Sequence, residues 1–202
     1  MKSFEIYKSY KWFYTSSGKL VVGGKSAEQN DALLKKLKNA KPVRDYVVMH
    51  TSSPGSPFCV LISDVKKISK SDLEECAIFT GCFSKSWKQK KKIVEVHFFK
   101  LSEIVKEKSM KTGTWGVAGR IGKIKVKLEL MLVIQKKTLR AVPEKTVKKN
   151  EVLLHVIPGR VDKEKMAGKI IDVLKKKEVS VKKNDVLAAL PAGGVKILEE
   201  KK

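Results

Sequence analysis

Gly23-Gly24-Lys25-Ser26 is followed, after Ala27-Glu28, by Gln29-Asn30, so a double glycine, a lysine, a hydroxyl and two side-chain amides share one short stretch. Those are the parts of a phosphate-binding loop, but that loop needs G-x-x-x-x-G-K-[ST] with its strand before the first glycine. Here five residues separate Gly18 from Gly24, and the strand-like Lys19-Leu20-Val21-Val22 lies between the glycines. No loop remains to wrap a triphosphate. The stretch reads instead as a βα turn whose glycines let another backbone approach. Ser26 and Gln29 have the spacing of a capping box, with Gln29 reaching back to the Ser26 amide. Asn30 lacks such an explanation. It falls on the helix face that carries Leu33 and Leu34, where its amide must find backbone or the polar edge of a ligand.

A second candidate is His50-Thr51-Ser52-Ser53-Pro54-Gly55-Ser56, whose hydroxyls and glycine after a strand suit an anion-binding turn. Ordinary loops use the same residues, and both readings stay open. Gly119-Arg120-Ile121-Gly122 matches the GXXG of a KH domain, yet it leads into a strand rather than joining two helices and reads as a hairpin turn. Metal chemistry finds no ligand set: there is no CxxC or HExxH, and His50, His97 and His155 are scattered. Cys59, Cys76 and Cys82 are odd in number and unpaired in spacing, as expected of reduced, buried thiols in a cytoplasmic protein. No cofactor and no metal is implied.

The elements that must hold these residues follow from periodicity. Two short strands flank a turn at Ser16-Ser17-Gly18, and a helix runs from Ser26 to about Lys38. Strands are expected over 45–50 and 58–62, the second wholly apolar and so central. A capping box at Ser71–Glu74 predicts a helix to about Gln89, with Leu73, Cys76, Ala77, Thr80, Phe83 and Trp87 on its buried face. Strands follow over 93–101 and 123–134. In the latter, apolar residues alternate with Lys123, Lys125, Lys127 and Glu129, which predicts one core face and one lysine ladder. The pattern breaks near Pro143. Beyond it come a strand over 152–157, a turn at Pro158-Gly159, helices over 163–175 and 185–190, and a last strand over 195–198. The fold class is α+β: a mixed, largely antiparallel sheet with two main helices over residues 1–137, and a small basic α/β appendage over 138–202.

Charge narrows the partner. The 202 residues carry 44 Lys and Arg against 21 Asp and Glu, a formal net charge of +23, with arginine only at 44, 120, 140 and 160. Such a surface attracts polyanions and releases their counterions, which favours nucleic acid. Lysine enrichment also accompanies thermophily, although glutamate normally rises with it. The longest apolar runs are too short to span a bilayer, and the N-terminus lacks the apolar core of a secretory signal. No membrane partner is expected.

KWFYTSSGKLVVGGKSAEQNDALLKK, MHTSSPGSPFCVL and DLEECAIFTGCFSKSW, in this order, resemble the NFACT-R domain family. The likeness runs over about residues 7–133, including the looser GTWGVAGRIGKIKV. NFACT-R is the RNA-binding module of ribosome quality-control proteins, which act on large subunits carrying stalled nascent chains and tRNA. The resemblance implies RNA binding, to rRNA or tRNA. Its motif positions are Lys11, Trp12, Ser16, Gly23, Gly24, Gln29, Asn30, His50, Pro54, Gly55, Ser56, Ser84 and Trp87. The family usually has Arg-Asp at Lys25-Ser26 and often His at Pro57, so roles resting on those side chains do not transfer. No large preceding domain, helix-hairpin-helix or coiled coil is seen, so the resemblance is to a stand-alone archaeal form. The tail after Arg140 carries no resemblance.

Together these readings assemble an RNA-facing surface from the Gly23-Gly24-Lys25 turn with Gln29 and Asn30, the His50–Ser56 loop, and the lysine run containing Lys85, Lys88, Lys90 and Lys91. Trp12 is either a base contact or core. The alternatives are an RNA-modifying or RNA-cleaving enzyme using His50, and an adaptor for an acidic protein.

Overall fold

The computed structural model describes residues 7–40, 42 and 44–198. Residues 1–6 of the expected first strand region lie outside them. In chain order the strands are β1 (Lys11–Tyr14), β2 (Leu20–Gly23), β3 (Val47–Thr51), β4 (Cys59–Ile62), β5 (Ile93–Lys100), β6 (Ile104–Val105), β7 (Gly116–Val117), β8 (Gly122–Lys127), β9 (Leu130–Gln135), β10 (Thr138–Val142), β11 (Leu154–Asp162) and β12 (Gly194–Leu198). The helices are α1 (Ala27–Lys38), α2 (Lys70–Cys82), α3 (Lys85–Lys88), α4 (Lys163–Lys176) and α5 (Lys183–Ala189).

Six strands form one sheet in the order β1-β2-β4-β3-β5-β8, and four form a second in the order β10-β9-β11-β12. Every pairing in both is antiparallel, giving an α+β fold. β4 lies between β2 and β3, the interior place that its apolar run predicts. Side chains of successive residues point to opposite faces, so the first sheet buries both. Val22, Val48 and Val60 pack with Leu33, Leu34 and Leu37 of α1 on one face. Phe13, Val21, Met49 and Leu61 pack with Cys76, Ala77 and Phe79 of α2 on the other. This second core continues without a break into Leu130, Leu132, Ile170, Leu174 and Val186 of the C-terminal part.

Several boundaries differ from expectation, each for a local reason. The helix expected to run to Gln89 stops at Cys82. Ser84 takes extended backbone angles, and its hydroxyl accepts from the Ser86 amide at 3.1 Å to start α3. α2 also begins earlier than expected, because Ser69 and Asp72 form the capping box. The single strand expected over 123–134 is two. β8 ends the first sheet and β9 opens inside the second, with the Leu128 amide tied to the Lys92 carbonyl at 3.0 Å. Alternation continues across the break and so hides it. β9 residues, expected on the N-terminal side of a 137/138 boundary, therefore belong to the second sheet. β11 runs through Pro158-Gly159 with a bulge where a turn was expected. Gly119–Ile121 links β7 to β8, which pair with different partners, so it is neither a KH loop nor a hairpin turn.

The outer edge of β1 is closed by the second sheet. The Gln135 side-chain amide accepts from the Tyr14 N–H at 3.0 Å and donates to its carbonyl at 3.1 Å. Arg140 lies over the Trp12 ring, 4.2 Å from its centroid. This tie occupies the outward-facing backbone groups of Tyr14 and shields that part of the edge from pairing.

Candidate nucleic-acid interface

The βα turn, the β3–β4 loop and the loop before β7 meet at one end of the first sheet, and α5 with the start of α4 closes the far side. The cavity between them measures about 850 Å³. Its walls include Lys11, Gly24, Lys25, Asn30, His50, Pro54, Gly55 and Ser56 from the expected set, together with Ser26, which was expected only as a helix cap. They also include Phe83, His97, Thr112–Trp115, Lys163 and Leu187, which were not expected. Among the described residues, three lysines, two histidines and no carboxylate line it. A concave site with cations, hydroxyls and aromatic faces, and no negative charge, suits a polyanion that also offers bases to stack.

The turn is held by a small set of contacts. Ser26 accepts from the Gln29 amide at 3.2 Å, as a capping residue should. Gln29 Oε1 accepts from the Lys25 amide at 3.0 Å, one residue earlier in the chain than the Ser26 amide expected. Asn30 finds backbone rather than a ligand: its Oδ1 accepts from the buried Phe58 amide at 3.1 Å, fixing the entry to β4. Gly23 is buried against Cys59, and both of its neighbouring strands pair through it.

The β3–β4 loop is pinned from within. Ser56 Oγ accepts from the Thr51 amide at 2.9 Å, and Thr51 donates to the Ser53 carbonyl at 2.7 Å. His50 Nδ1 lies 2.7 Å from the Thr51 carbonyl, and an acceptor there requires the proton on Nδ1. Nε2 is left as an acceptor. Burial, opposed by the Thr51 bond and helped by the neighbouring His97, pushes the His50 pKa down, so the ring is neutral at physiological pH. No carboxylate among the described residues is bonded to His50.

Gly55 joins this loop to the lysine run. Its φ is +104°, and a β-carbon there would come within 2.4 Å of Lys85 Cδ. The Lys85 amide donates to the Gly55 carbonyl at 2.8 Å. Lys85, Lys88, Lys90 and Lys91 are exposed, and none has an acidic partner among the described residues. Lys123, Lys125 and Lys127 of β8 add the expected ladder on the open edge of the sheet.

On the opposite wall, Asp31 holds the loop before β7. It accepts from the Gly113 amide at 3.0 Å and from Trp115 Nε1 at 2.8 Å, and pairs with Lys106 at 3.2 Å. Burial alone would raise this carboxyl, but those donors lower its pKa overall.

Four motif positions of the resemblance lie away from this cavity, Trp87 among them on the buried face where the periodicity placed it. Trp12 is 1% exposed beneath Arg140 and is core. Trp87 is fully buried and donates from Nε1 to the Gly194 carbonyl at 3.0 Å, docking the second sheet. Ser84 caps α3. Ser16 sits at the far end of the β1–β2 hairpin, where its hydroxyl donates to Glu75 at 2.6 Å.

Among the described residues, no group of three or more His, Cys, Asp or Glu is placed to hold a metal ion. All three cysteines are free and buried. Among the described residues, no helix is long and apolar enough to cross a membrane.

Known proteins resemble this chain in sequence and in fold. The chain is 27% identical over 205 aligned positions to an archaeal Rqc2 homolog, aRqcH, of Methanocaldococcus jannaschii. That alignment covers 96% of this chain, so it takes in the C-terminal part for which the sequence offered no resemblance, but only 29% of the relative's length. The C-terminal region of the fibronectin/fibrinogen-binding protein from Streptococcus suis shares the fold. Its TM-score is 0.51 at 20% identity, over 58% of this chain and 45% of that one. Residues 9–119 match the family described as the NFACT protein RNA binding domain. The chain belongs to that family.

Proposed function

We propose that this protein binds single-stranded segments of rRNA or tRNA in ribosome-associated quality control, through the cavity at the end of the first sheet and the lysine run on its rim. The observation that carries the proposal is that, among the described residues, no carboxylate joins Lys11, Lys25, Lys163 and several hydroxyls in lining the cavity. Phosphates contribute most of the affinity in such a site, and bases add stacking on exposed aromatic faces. Trp115 and Phe83 are the half-buried rings on its walls. The quality-control setting is supported by the family and by the Rqc2 homolog, of which this chain matches only a part.

The test is a fluorescence-anisotropy comparison of single-stranded RNA, duplex RNA and polyglutamate at matched charge and stepped salt. Single-stranded RNA is expected to bind tightest at every salt concentration. Equal affinity for RNA and polyglutamate would mean that net charge alone drives association, and the adaptor reading would replace this one.

A further inference from the structure

Lys11, Lys25 and Lys163 reach the same cavity from three elements: β1, the turn before α1, and the first position of α4. Two belong to the first sheet's layer and the third to the C-terminal part. Among the described residues, none of them pairs with a carboxylate. The Lys11 ammonium lies 4.2 Å from the centroid of the Phe83 ring, and Lys163 Nζ has one long contact of 3.4 Å to the Leu187 carbonyl. Phe83 accounts for where Lys11 lies, since a cation over a ring face is favourable. It does not account for a second and third cation in the same concavity. Converging like charges with no counter-charge is unfavourable in a partly desolvated site, and a bound anion relieves it.

We propose that Lys11, Lys25 and Lys163 form a composite site for the phosphate backbone of the bound RNA, which makes the C-terminal part a direct contributor to RNA binding. This inference rests on the RNA-binding reading above and names the residues of the second sheet's layer that take part in it. Burial, and then the charges of Lys25, Lys163 and Arg140, push the Lys11 pKa down to about 8. Lys25 is shifted the same way by burial and by Arg140. Arg140 thus tightens the site electrostatically from its seat on Trp12 without lining it. A phosphate between the ammonium groups reverses the strain: it favours the charged form of Lys11 and raises its pKa.

The experiment uses the full chain and a single-stranded RNA ten-mer. Lys163→Met keeps the aliphatic stem, and Lys169→Met, on the exposed face of the same helix, is the control. Lys163→Met is expected to weaken binding at least fivefold at low salt and to reduce the log–log salt slope by about 0.7, the value for one phosphate contact on a single strand. Lys169→Met is expected to change neither quantity beyond the loss of one remote charge. Amine-selective labelling of the unsubstituted protein at pH 8 gives an independent readout, because a lysine of depressed pKa reacts early. Lys11 labels first, and saturating RNA suppresses it. If the unsubstituted protein binds RNA no better than polyglutamate, both the reading and the inference fall. If it binds RNA but Lys163→Met matches Lys169→Met, or Lys11 labels equally with RNA bound, the composite site is wrong and the RNA reading stands.

Discussion

The Asn30 side chain holds the Phe58 amide at 3.1 Å, and Gly24 packs so tightly beneath it that a β-carbon there would lie 2.3 Å from the same Asn30 oxygen. One contact thus locks the βα turn to the first residue of the loop's return into β4. Gly24→Ala forces the amide aside and is expected to cost about 1–3 kcal/mol. Asn30→Ala leaves a buried N–H without an acceptor, a loss of similar size, about 1–3 kcal/mol. Urea unfolding of each variant measures the cost. If Asn30 positions the loop rather than reading a base, the folded fraction of Asn30→Ala keeps its RNA affinity.

Asp72 organises the other end of the first hairpin. Its buried carboxylate accepts from Ser17, Thr15, Ser69 and Lys19. Burial alone would raise its pKa, but these donors outweigh it and hold the group far below the usual carboxylate range. The unfolded chain titrates near pH 3.9. Because the folded pKa is the lower one, Asp72 contributes stability above the unfolded value and loses it as pH falls through the folded one. Asp72→Asn is expected to be less stable than the natural protein at pH 7, with the difference shrinking below about pH 4. Thermal melts from pH 7 to pH 2 check it.

Lys88, Lys90 and Lys91 are exposed and, among the described residues, without acidic partners, so their truncation should leave the fold intact. Replacing all three by alanine is expected to weaken RNA binding and reduce the log–log salt slope by up to about 2, at roughly 0.7 per lost phosphate contact. An unchanged slope in anisotropy titrations would place the electrostatic surface elsewhere.

Trp87 joins the two sheets through its 3.0 Å bond to Gly194. Trp87→Phe keeps most of the packing and loses that bond, a cost of about 1 kcal/mol. Trp87→Ala also opens a cavity and is expected to cost about 3–5 kcal/mol. Because the two parts share one core, calorimetry should show one cooperative transition for Trp87→Phe, as for the natural protein.

The sequence made much of this legible where pattern and chemistry coincide. Ser26 announced α1, the apolar run 58–62 announced an interior strand, and the double glycine announced a close backbone approach. Other parts could not be read. Val147-Lys148-Lys149-Asn150 and Val181-Lys182-Lys183-Asn184 are identical in type, yet the first lies in a short 3-10 turn region and the second leads into α5. Their settings, not their residues, decide. Alternation across residues 123–134 concealed a change of sheet, because both strands keep a buried face. Trp12 offered the same chemistry to a base or to a core, and only its burial separates the two. Lys163 and Leu187 became cavity residues through the packing of the second sheet on the first, which leaves no mark in local periodicity.

The account stands most directly on one measurement: photo-crosslinking of the purified chain to single-stranded RNA, with the attached peptides identified by mass spectrometry. Attachment is expected in peptides carrying Lys25, residues 50–58, residues 112–117 and Lys163, the segments that share the cavity. Attachment spread evenly over exposed lysines, including those on the outer face of α4, would contradict it.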